Sequence, residues 1–113
     1  MSFTEISIPE NTAFFEKRVD CDGVSFLFDF SYNQRADCFY LEIKDELGDH
    51  LLGPIKLVSN WALLHYHRYV DGLPLGELLV YDPLVKTPAP GLGVLGKDVR
   101  FYYLDAAGVA DTL

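Results

Sequence analysis

Residues 24–32 constrain the fold most, because they alternate with a strict two-residue period. Val24, Phe26, Phe28, Phe30 and Tyr32 fall on one side of the chain and Ser25, Leu27, Asp29 and Ser31 on the other. Rings at this spacing share a face only in extended chain, since a helix would turn successive residues by about 100° and scatter them. The same period returns at residues 39–44, where Phe39, Leu41 and Ile43 alternate with Tyr40, Glu42 and Lys44. Strands with such an apolar face need a second layer to cover it. The expected fold is all-β and mainly antiparallel, a small β-sandwich or a partly open β-barrel with room for one short helix.

The punctuation between these segments extends the reading. Asp22-Gly23 supplies the positive φ angles of a tight hairpin turn, residues 33–37 form a loop, and Asp45-Glu46-Leu47-Gly48-Asp49 forms another hairpin connection. Strands over 14–19, 24–32, 39–44 and 50–58 would then run as a meander, the last kinked at Gly53-Pro54. Residues 3–8 read as an edge strand ended by Pro9, and Glu77-Leu78-Leu79-Val80-Tyr81 and residues 99–104 as two further strands. Residues 61–69 fit neither period well. Ser59-Asn60 could cap a short helix there, but a strand or bent strand is the expectation. The Pro and Gly of Leu73-Pro74-Leu75-Gly76 forbid a regular element, and residues 82–96, rich in both, form a long loop of the kind that carries function or orders on binding. The expected organisation is one domain over 1–104 with a flexible tail over 105–113.

Composition sets the function classes. Half of the 113 residues are apolar and 14% aromatic, enough for a core and far from the regime of disorder. A net charge of −8 leaves no basic surface for nucleic acid or anionic membrane, so neither is an expected partner. The first residues lack the basic and apolar regions of a leader, and synthesis in a reducing cytoplasm is the expectation. Cys21 and Cys38 are accordingly read as small core or interface fillers and not as a disulfide. No apolar run approaches the roughly 20 residues that span a bilayer.

Three patterns invite a chemical reading and fail on context. Gly91-Leu92-Gly93-Val94-Leu95-Gly96 matches the GxGxxG form, but a phosphate cradle must leave a buried strand and open a helix, whereas prolines precede this one and a strand follows. His65 and His67 would share a face in extended chain and could hold zinc, yet no further donor stands at a recognisable spacing. Asp20 and Asp22 resemble the start of a calcium loop, but Gly23 arrives too early and no Glu closes it. Nucleophile, base and orienting group are never grouped, so neither enzymatic activity nor a cofactor is expected. Leu27, Tyr40, Tyr66, Tyr69 and Tyr102 instead sit on the nominally polar sides of their segments, which favours subunit contacts.

The ordered set of segments resembles the baseplate plug family of contractile-tailed phages. The residues that carry the resemblance are Tyr32-Asn33, Phe39-Tyr40-Leu41-Glu42-Ile43 with Asp45 and Gly48, Gly53-Pro54-Ile55-Lys56-Leu57-Val58, Gly72-Leu73-Pro74-Leu75-Gly76-Glu77-Leu78, Asp82, Leu95-Gly96 and Val99-Arg100-Phe101-Tyr102-Tyr103. This chain departs from the pattern in the bulky, polar His65-Tyr66-His67-Arg68. The resemblance implies a non-enzymatic virion structural protein at the junction of tail tube and central hub. Its implied partners are the hub, spike and tail-tube proteins, within a symmetric ring. The expected contact elements are the Leu73, Pro74 and Leu75 corner and the loop carrying Pro88, Pro90 and Leu92, because a proline-restricted loop loses little entropy on docking. Tyr66 and Tyr69 join them as exposed aromatics. An alternative from another class is a β-barrel that takes a small ligand or carbohydrate between Trp61, Tyr66 and Tyr69.

Overall fold

A computed structural model describes residues 3–9, 12–84, 87–97 and 99–105, together with the backbone but not the side chains of Phe3 and Tyr66. The tail expected over 105–113 lies outside the described residues beyond Asp105.

Among the described residues seven strands form two antiparallel sheets: β1 (Phe3–Ile6), β2 (Phe14–Cys21), β3 (Val24–Asn33), β4 (Cys38–Asp45), β5 (His50–Lys56), β6 (Glu77–Tyr81) and β7 (Arg100–Leu104). The four-stranded sheet has the order β2-β3-β4-β5, the meander expected from the turn signals, and the three-stranded sheet has the order β1-β7-β6. The fold is therefore a sandwich and not a closed barrel. The β2–β3 hairpin turns through Asp22 and Gly23, both at positive φ (54° and 83°), as a two-residue loop between right-twisted strands requires.

Register explains the alternation. Phe28 lies opposite Lys17 and Ile43, and Phe30 opposite Phe15 and Leu41, so one face of the four-stranded sheet carries Phe26, Phe28, Phe30, Leu41 and Ile43 into the interior. From the other sheet come Leu78, Val80, Phe101 and Tyr103. Phe101 meets Phe30 edge to face at 5.7 Å and 89°, and Phe28 at 6.4 Å and 56°. These ring pairs join the layers, and each aromatic pair adds roughly 0.5–1.5 kcal/mol beyond the area it buries.

Residues 61–69 do not form the expected strand. Asn60 N–H donates to Val80 O at 2.6 Å and Leu63 N–H to Leu78 O at 3.1 Å, so the segment covers the outer edge of β6 through single bridges and then closes a one-turn 3₁₀ helix at His65–His67. Leu63 and Leu64 enter the core on successive positions, which the two-residue period of a strand would not show. Cys21 and Cys38 are free, buried thiols.

Phe101→Ala is expected to lower unfolding stability by about 3–5 kcal/mol in urea titration, whereas Phe14→Ala, at a side chain 70% exposed, should change it by no more than about 0.5 kcal/mol.

Candidate docking site

The Leu73-Pro74-Leu75-Gly76 corner is held from both sides. Arg68 donates from Nη1 to Pro74 O at 2.6 Å and from Nη2 to Gly76 O, and the same Nη2 lies 3.8 Å from Glu77 Oε2. Glu77 is buried, but its Oε1 accepts Leu64 N–H at 2.5 Å and Leu78 N–H at 3.0 Å, so the carboxylate is satisfied in place. Behind the corner, the Tyr103 hydroxyl accepts Gly76 N–H at 2.9 Å and donates to Asp22 Oδ2 at 2.6 Å. The corner is thereby tied to the β2–β3 hairpin of the other sheet.

Gly76 is required here by crowding. A Cβ at that position would stand 2.0 Å from Leu104 O and 2.6 Å from the Tyr103 hydroxyl.

This bracing decides what the corner presents. Leu73 and Pro74 are buried and serve as its floor, while Leu75 is 71% and Tyr69 79% exposed. The side chain of Tyr66 lies outside the described residues.

The 82–96 loop is fastened at the opposite end of the strands. Asp82 is buried, with Oδ1 accepting Leu84 N–H at 3.1 Å and Oδ2 accepting Thr87 N–H at 2.7 Å, and its backbone pairs with the Asn60 amide. Pro88 O accepts Ser59 N–H at 2.8 Å. Gly91 packs so closely on Asp37 that a Cβ would lie 2.2 Å from Oδ1, the oxygen that accepts the Tyr32 hydroxyl at 2.5 Å. Pro90 is buried in consequence, and Pro88 and Leu92 are the expected contact residues that face outward.

The two elements thus mark the two ends of one sheet. Asp22, which anchors the corner, precedes β3, and Asp37, which anchors the loop, follows it. The ten extended residues of β3 span roughly 30 Å.

The other sequence candidates separate. His65 and His67 lie in the 3₁₀ turn, and among the described residues no three His, Cys, Asp or Glu side chains are grouped to hold a metal. The Gly91 to Gly96 stretch runs through turns into β7 and opens no helix. An open groove of ≈ 750 Å³ lies beside Phe14, Tyr32, Arg35 and Tyr40, and neither Trp61 nor Tyr69 lines it. The Arg68, Glu77, Tyr103 and Asp22 tie left no mark in the sequence beyond two charges flanking a Gly-Leu-Pro-Leu-Gly run.

The described residues thus form an antiparallel sandwich with Leu75 and Tyr69 exposed beside one end of β6 and Pro88 and Leu92 beyond the other. The family model described as cyanophage baseplate Pam3 plug gp18 matches residues 3–106, and the chain belongs to that family. No curated protein matches it.

Gly76→Ala should destabilise the fold by at least about 2 kcal/mol in urea titration, since backbone and a fixed ring must both move. Stability should also fall in alkali. Burial, and then the hydrogen bond to Asp22, raise the Tyr103 phenol above its ordinary 10.0, and burial with Asp22 and Asp20 nearby pushes the Cys21 thiol up to about 12. Both groups favour the protonated form when folded, so their stabilisation is complete below pH 9.0 and is lost as pH rises through the folded-state values. Tyr103→Phe should flatten the upper part of that decline in thermal melts between neutral pH and strong alkali.

Proposed function

We propose that this protein is a non-enzymatic structural component of the phage virion, the plug of a contractile-tail baseplate at the junction of tail tube and central hub. The observation that carries the reading is the pair of braced apolar tips, Leu75 with Tyr69 at one end and Leu92 with Pro88 at the other, on opposite ends of a rigid sandwich. A part that bridges two neighbours needs two such surfaces facing apart. Each is already ordered by internal hydrogen bonds, so docking costs little further loop entropy.

One tip meets the tube and the other the hub or spike, within a symmetric ring of copies. A closed ring arises when each copy makes the same head-to-tail contact with its neighbour. The net charge of −8 keeps the unassembled chain soluble in the host cytoplasm, where it is made. No cofactor takes part.

Size exclusion with light scattering, using the purified chain with tube and hub proteins of the same phage, tests this. The chain should form a defined complex with each. Leu75→Asp should weaken one complex and Leu92→Asp the other by about tenfold or more, because exposed apolar anchors carry interface energy, and both variants should melt like the parent chain. Loss of the same partner by both variants, or of neither, would contradict the bridging role.

A further inference from the structure

We propose that the free edge of β2 is a strand-docking site for an extended segment of another protein that reads basic, acidic, basic and apolar at alternate positions. The inference rests on the strand edge and stands apart from the two end surfaces.

The edges of the two sheets are treated differently. β6 is covered by residues 59–63, β1 is four residues long, and β5 is broken by register shifts and by Pro54, which has no N–H to offer. β2 is eight residues long, without Pro, Gly or bulge, and among the described residues no strand lies on its outer side. Among the described residues, charge is what guards it against indiscriminate pairing.

The hydrogen-bond phase identifies what the edge presents. Tyr32 N–H donates to Ala13 O at 2.8 Å across a directly opposed pair. Residues 15, 17, 19 and 21 therefore also bond inward to β3, which leaves the N–H and C=O groups of Phe14, Glu16, Arg18 and Asp20 pointing outward. The side chains of these same four residues lie on the solvent face. A docked strand would meet in turn an apolar ring, an acid, a base and an acid. Phe14 stands at the mouth of the open groove with Tyr40 and Arg35, which gives an apolar side chain a place to lie.

Charge also decides the occupant. In an antiparallel pair with a second copy, setting Glu16 opposite Arg18 puts Lys17 against Lys17 of that copy. A shift of one pair either way opposes Glu16 to Glu16, or Arg18 to Arg18 with Glu16 against Asp20. Like charges directly opposed destabilise a strand pair. The register that pairs Glu16 with Arg18 also sets Phe14 against Asp20, so a second copy never matches all four outward residues, and the edge favours a complementary strand that does. The exposed Arg18–Glu46 ion pair at 3.6 Å is weak enough to yield to it.

Two capped heptapeptides of identical composition test the reading. One runs lysine-threonine-glutamate-threonine-lysine-threonine-phenylalanine and matches the edge; the other exchanges the glutamate and the second lysine. In amide NMR titrations the first should bind the parent chain about five- to tenfold more tightly, shifting the N–H signals of Phe14, Glu16, Arg18 and Asp20 and slowing their exchange. The double substitution Glu16→Arg and Arg18→Glu, which leaves net charge unchanged and touches only exposed side chains, should reverse the preference. Equal binding of both peptides, no binding, shifts centred away from β2, or a dimer of the parent chain by light scattering would each overturn the proposal. The parent chain's own choice between the peptides decides the matter even where the double variant folds poorly.

Discussion

Phe101 packed against Phe28 and Phe30 locks the two sheets together. Two sheets of three and four strands have little area to share, and these rings are where the layers meet at the centre. Fixing β7 on β3 also fixes what β7 carries. Tyr103, two residues further along the same face, can then reach Asp22 in one direction and Gly76 in the other. Removing the central contact would loosen the core and the corner together.

The corner shows how a buried polar network sets a surface. Arg68 and Tyr103 hold the backbone on either side of Leu75, and the Glu77 carboxyl accepts two N–H donors beside the Arg68 guanidinium. Such a network is costly when incomplete, and complete it holds one geometry. The far end reaches the same result by other means, with Asp82 gathering the N–H groups of its loop and Asp37 closing on Gly91. Membership of the baseplate plug family fits a part whose stiffness resides at its ends.

The meander was legible because two-residue alternation is a local property, and the Phe26, Phe28 and Phe30 series reads the same in one dimension as in three. The 61–69 segment was not. Its hydrogen-bond acceptors, Leu78 O and the Glu77 carboxylate, belong to β6 and lie far along the chain, and partners of that kind leave no local period. The 73–76 corner and the 82–96 loop were legible as irregular segments from their Pro and Gly, but which of their residues turn inward was hidden. Leu73, Pro74 and Pro90 turn inward because Arg68, Tyr103 and Asp37 pull the backbone, and pairings of that kind carry no local signature.

In the proposed role the two braced ends, at either end of a strand that spans roughly 30 Å, meet different neighbours. An electron cryomicroscopy map of the intact tail, with this chain placed in it, tests that most directly. The expected map has the chain at the meeting of tube and hub, with Leu75 and Leu92 against different proteins. A map with both residues against one protein, or with no density for the chain in the baseplate, would contradict it.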